Sequence, residues 1–242
     1  MPHGGSIGSS SSKPDQTNLH SYIQSSRPPP DSTATSQEIR DRGSIFVANI
    51  FQASSVEEVN TRIQHVKHVL HGSKPASHEI SAWRIMGLKS GRSGLGGPDD
   101  FQLITGSEDD GEKWAGNQIL KVMQIHAIID AVVIVSRWYG GTLLGPARFS
   151  HIRTSASEVC LAFKKLESLR ECISTLSTLD VILAELRSEY NILTGSGIGE
   201  SSKQAAQNYS TLDLGKGKRL IKARENAIKN VKLLLAKRQT NQ

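Results

Sequence analysis

The stretch "IVSRWYGGTLLGPARF", Ile134 to Phe149, decides how this chain folds. It is preceded by the apolar run Ala131-Val132-Val133-Ile134-Val135, which predicts a strand covered on both faces. Arg137, Trp138 and Tyr139 then stand at the strand's end, and Gly140-Gly141 lets the backbone turn out through positive φ or approach another segment closely. Gly145-Pro146 opens a helix, since proline is tolerated at the first helical position. A strand end beside a helix N-terminus is where crevices form in layered α/β proteins. A bound anion there would suit Arg137 and the amides near Gly145. The other reading is that Trp138 and Tyr139 cap the core while Arg137 pairs with the acidic turn "EDDGEKWAG". If Arg137 is an exposed binding residue, Arg137→Ala should weaken partner binding without unfolding the protein.

Outward from this point the elements alternate. "SIFVANIFQA" predicts a strand. Ser55 and Glu58 form a capping box for a helix to about Leu70, with Gly72 at the left-handed cap position. "SHEISAWRIMG" and "FQLIT" are further strands, joined by the irregular "LKSGRSGLGGPDD", and Gly106 begins the acidic turn. From Trp114 to His126 apolar residues recur at helical spacing. The order β-α-β-β-α-β-α over residues 44 to 166 predicts an α+β sandwich of one sheet with helices packed on a face.

Beyond it the pattern is helical. Leu169, Cys172, Leu176, Leu183 and Leu193 belong to a heptad stripe, followed by a break at "TGSGIGESSKQ" and a final helix over 214 to 238. Leu220, Ala223, Ala227, Val231 and Leu234 form its stripe, expected to pack antiparallel on the first as a hairpin. Its nine basic residues, among them Lys218, Arg219, Lys222, Arg224, Lys229 and Lys232, oppose only Glu225 and give that segment +8. The whole chain of 242 residues carries +6, so residues 1 to 215 sum to −2 and the basic balance belongs to one element. An outward basic face there suits RNA or an acidic partner.

Residues 1 to 42 are Ser/Pro-rich and predict a disordered arm without the apolar core of a secretory signal. No apolar run nears the roughly 20 residues that span a bilayer. Cys160 and Cys172 imply no disulfide framework, which suits a reducing, cytoplasmic setting. "GGTLLGPA" is not a P-loop, the acidic turn fails calcium-ligand spacing, and no nucleophile-base order stands out. No catalytic residue, metal or cofactor is expected.

"VIVSRWYGGTLLGPARFSHI" (133–152) and "SEDDGEKWAG" (107–116), with "SHEISAWR" (77–84) and "DRGSIFVA" (41–48), resemble the IMPACT family, which eukaryotic regulators share with bacterial YigZ-like proteins. The resemblance covers about half the chain. It implies a two-layer βαβ sandwich of the ribosomal-protein-like type, as in domain IV of elongation factor G. It places an IMPACT-type domain at 43–166; the helical pattern read above makes 167–242 a tail, where bacterial members carry a ferredoxin-like domain instead. It implies a non-enzymatic regulator of translation that binds the activator scaffold of the amino-acid-starvation kinase, with actin a further partner class. Direct RNA or ribosome binding is the alternative. The eukaryotic regulators carry an N-terminal RWD domain, for which residues 1 to 42 are too short and polar. The implied partner- or RNA-binding surface comprises Arg137, Trp138, Tyr139, Gly140, Gly141 and Arg148 of the signature. Asp109, Asp110 and Glu112 of the acidic turn join it, with His78 and Arg84 of the "SHEISAWR" strand.

Overall fold

In a computed structural model, residues 31–194, 209 and 211–239 are described. Six strands form one antiparallel sheet: β1 (Ala34–Thr35), β2 (Ile39–Asp41), β3 (Ser44–Gln52), β4 (His78–Leu88), β5 (Phe101–Glu108) and β6 (Ala131–Trp138). The spatial order is β1-β3-β6-β4-β5, with β2 also on β3. Among the described residues four α-helices accompany them: α1 (Val56–His65), α2 (Ala115–Ile125), α3 (Ala147–Leu193) and α4 (Leu214–Gln239). The α+β class and the element order match the sequence reading.

The sheet's two faces divide the apolar residues by parity. On one, Ala131, Val133 and Val135 of β6 pack with Phe46 and Ile80 against α2 and the first turns of α3. On the other, Val132, Ile134, Phe51 and Ile85 meet Val59 and Ile63 of α1. The main two-layer packing of sheet on α2 and α3 thus gains a smaller cover of its reverse face. Each fully buried Ile, Val or Phe contributes roughly 1.5–3 kcal/mol. Because both faces of β6 are apolar, hydrophobic pattern alone cannot fix its register. Polar residues at its end do so. Ser136 Oγ donates to Glu79 Oε2 at 2.5 Å on the α1 side, and Arg137 pairs with Glu112 on the α2 side. A one-residue slip would bury both without partners.

Local details correct several expectations. Ser55 Oγ caps Glu58 N at 3.2 Å, but the Glu58 carboxylate returns to Ser54 N, one residue short of a closed capping box. The last turn of the first helical run, Val66–Leu70, is a π turn. Gly72 does not cap it in the left-handed region; glycine is needed there because a Cβ would lie 2.5 Å from His68 O. Gly106 does not begin the acidic turn but lies within β5, under the Trp83 ring. The boundary at residue 42 also moves. β1 and β2 extend β3, with Thr35 Oγ1 donating to Asn49 Oδ1 and Ser36 Oγ accepting from Ala48 N. Backbone ladder bonds and these polar side chains do most of the joining, with only Ala34 and Ile39 packing on the core, so apolar clustering gave little sign of it. Residues 1–30 of the expected arm lie outside the described residues.

The boundary at residue 166 falls inside α3, which runs unbroken for 47 residues. Nor is the tail an antiparallel hairpin. Gly217 lies against Cys172 and Arg224 Nε lies 2.5 Å from Asp180 Oδ1, so contact numbers rise together and α4 runs parallel to α3. The connection of some 20 residues, at roughly 3.3 Å each, has ample reach for that return. Leu235, 6% exposed, takes the buried place expected of Leu234, which is 46% exposed.

Both cysteines are buried, Cys160 in the main core and Cys172 under α4. Burial pushes the Cys160 thiol up to about 12. Alkylation at pH 8 should therefore modify neither thiol in the intact chain, and only Cys172 once residues 214–242 are deleted. Mass spectrometry of the labelled peptides checks this. Labelling of Cys160 in the shortened chain would show that the sheet domain depends on α4.

Candidate functional site: a cationic cleft at the end of β6

The acidic turn folds over the start of β4. Asp109 shapes it by accepting from Trp114 N and Gly116 N, both at 2.8 Å, so its carboxylate caps the start of α2. Asp110 accepts from Glu79 N at 2.7 Å and pairs with Lys67 at 3.4 Å. Neither aspartate enters the crevice. Glu112 alone points inward, 6% exposed.

Arg137 meets it from the end of β6. Its Nη1 donates to Glu112 Oε2, and its Cζ lies 5.4 Å from the Phe46 ring centroid and 5.7 Å from that of Tyr139. The residue is 5% exposed. It is therefore a buried structural partner, not the exposed binding residue of the first expectation, and it realises the reading in which it pairs with the acidic turn. Arg148, from the first turn of α3, brings Nε to 2.6 Å from Glu112 Oε1, yet that N–H is not aligned for a hydrogen bond. His78 Nε2 lies 3.7 Å from Glu112 Oε2.

Around this centre opens a cleft of about 400 Å³. His78, Glu112, Arg137 and Arg148 form its polar side, and Tyr139, Leu143 and Leu144 its apolar wall. Tyr139 and Leu143 are 46% and 82% exposed. The sequence reading passed over the two leucines, although a leucine pair directly after a glycine-containing turn was the available signal. At the rim His151 Nε2 and Asp41 Oδ2 meet at 2.8 Å. That hydrogen bond, and then Arg42, hold the Asp41 carboxyl below its usual range. A lowered carboxylate adds stability above its unfolded value, lost as pH falls through the folded one.

The other expected site residues lie elsewhere. Trp138 points to the opposite sheet face, where its Nε1 donates to Lys74 O at 3.0 Å and its ring meets His71 edge-on. His71 in turn bonds the buried Glu79 at 2.7 Å. Adjacent strand residues alternate faces, so Arg137 and Trp138 could not share one cleft. Gly140 packs directly on Gly43, and Gly141 takes φ +83° in open space. Arg84 donates to Ile128 O at 2.8 Å and Met123 O at 3.3 Å, closing the C-terminal end of α2. In the tail Lys218, Arg219, Lys222, Lys229 and Lys232 are exposed, but Arg224 turns inward to Asp180. Among the described residues no group of three or more His, Cys, Asp or Glu could hold a metal ion. No described helix is long and apolar enough to cross a membrane.

Residues 42–160, which carry every wall of this cleft, match the model of the Impact N-terminal domain. The chain carries an IMPACT-family domain. Protein IMPACT of Xenopus laevis is 36% identical over 138 residues, 56% of this chain and 40% of that protein. The Protein IMPACT homolog of Saccharomyces cerevisiae is 37% identical over 123 residues, 51% of this chain and 43% of its own length. The match thus spans about two fifths of these curated relatives. Among solved structures, a two-domain translational regulator is 30% identical with a TM-score of 0.33, covering 62% of this chain and 52% of that one. A hypothetical protein is 24% identical with a TM-score of 0.41, covering 52% and 57%.

Proposed function

We propose that this chain is a non-enzymatic cytoplasmic regulator of translation, restraining the amino-acid-starvation kinase pathway by binding the kinase's activator scaffold through the cleft of its IMPACT domain. The observation that carries this reading is the pairing of an exposed Tyr139 and Leu143 with a buried ionic floor. Aromatic and apolar anchors over desolvated charge are how protein interfaces concentrate their energy. The cleft holds no serine, threonine or cysteine nucleophile, and Glu112 is committed to its arginines. Purified chain and scaffold should form a complex that Tyr139→Ala weakens about tenfold or more. In starved cells, excess wild-type chain should lower phosphorylation of the kinase's initiation-factor substrate while Tyr139→Ala should not. Unchanged phosphorylation with both would reject the reading.

A second reading is favoured by the exposed cations of α4, which suit phosphates of RNA or the ribosome. Deleting residues 214–242 should abolish salt-sensitive ribosome association and leave the sheet domain folded, since the core cluster ends at Phe163. Association surviving that deletion at unchanged affinity would place any RNA contact elsewhere.

A further inference from the structure

We infer that the cleft is a receptor for a phosphate monoester carried on an apolar or aromatic body. The inference rests on the cleft being the binding surface proposed above and gives the chemistry it recognises. Charge is the first argument. Two guanidinium groups face one carboxylate there, and the neighbouring acids are engaged elsewhere: Asp41 by His151 and Arg42, Asp110 by Lys67 and the Glu79 amide. Cationic charge is left over in a floor where Arg137 is only 5% exposed.

Donor supply is the second. A guanidinium offers five N–H donors. Among the described residues Arg137 gives one hydrogen bond to Glu112 and its Nε gives none; Arg148 gives one to Gly145 O at 2.9 Å, and its Nε, though 2.6 Å from Glu112 Oε1, gives no aligned hydrogen bond. A carboxylate fits one arginine fork, and Glu112 already supplies one. A tetrahedral dianion can accept from both forks at once.

The start of α3 adds to this. It has no side-chain cap and no acidic residue in its first turn, where Arg148 stands instead. Positive charge at the positive end of a helix dipole is unfavourable alone and becomes favourable when an anion sits between them. Size and lining supply the body of the ligand. About 400 Å³, walled by Tyr139, Leu143 and Leu144, falls within the range of organic-ligand pockets and exceeds what an oxyanion needs.

Calorimetry on the full chain at constant ionic strength tests this with inorganic phosphate, phenyl phosphate and a short phosphotyrosine peptide. Phenyl phosphate should bind about tenfold more tightly than inorganic phosphate. Arg148→Gln and Leu143→Asp should each weaken it about tenfold or more. Leu143 is 82% exposed, so its variant keeps the fold, which circular dichroism verifies. A peptide that binds more tightly than phenyl phosphate assigns the ester to a protein partner; equal binding assigns it to a small molecule; both sustain the inference. No saturable binding of phenyl phosphate, or binding that both variants leave unchanged, overturns it. A chain that captures the scaffold yet ignores all three probes overturns this inference alone. One that binds phenyl phosphate but leaves translation untouched sustains it and overturns only the proposed function.

Discussion

Glu112→Ala should destabilise the protein by about 3–5 kcal/mol. The carboxylate is buried, takes the only hydrogen bond of the Arg137 guanidinium among the described residues and lies 2.6 Å from Arg148 Nε. Removing it leaves Arg137 desolvated without a counter-charge. Breaking a buried pair from one side costs far more than the pair contributes intact. Arg137→Ala should be comparably damaging, the reverse of what an exposed arginine would show. Arg148→Gln should cost much less, because that side chain is 27% exposed and solvent can replace its partner. Urea titration of the three variants checks the ranking. A Glu112→Ala loss below about 1 kcal/mol would mean that water occupies the vacated place and the floor is not dry.

The second large effect is expected at Gly140. A Cβ there would overlap the backbone of Gly43 and Ser44, which no side-chain rotation relieves. The strand end would have to separate from β3, breaking the bond from Gly140 N to Ser44 Oγ. Gly140→Ala should cost about 3 kcal/mol or more. Gly141→Ala, with φ +83° but nothing within 4 Å, should cost only about 1 kcal/mol. Thermal melts of both proteins decide it: equal losses would show that conformation, not contact, governs the pair.

The glycine pair was legible as a turn, but not that its two members have different tasks, because Gly43 is remote in sequence. The same limit applies throughout the site. Period and caps revealed β3, β4, β6 and α2, since those signals are local. Trp138 was assigned to the crevice because it adjoins Arg137, and strand alternation, applied strictly, would have sent it to the other face. Asp109 and Glu112 look alike in sequence; only the fold makes one a helix cap and the other the centre of the cleft. The tail's direction was illegible for a simpler reason. A heptad stripe names the buried face of a helix and is silent on which way its partner runs; it placed Leu234 where Leu235 now sits and left Arg224 outside the seam, where it in fact pairs with Asp180.

The unbroken α3 carries one more consequence. It starts at the cleft and, at about 1.5 Å per residue, reaches Cys172 and the first basic turns of α4 roughly 40 Å away. No flexible joint among the described residues separates the two ends, so their spacing is a fixed length and not an average over linker conformations. The chain is in effect a calliper. Anything gripped at both tips must itself measure some 40 Å, more than the roughly 30 Å of a small domain. A partner gripped at both tips is thereby selected by girth as well as by charge.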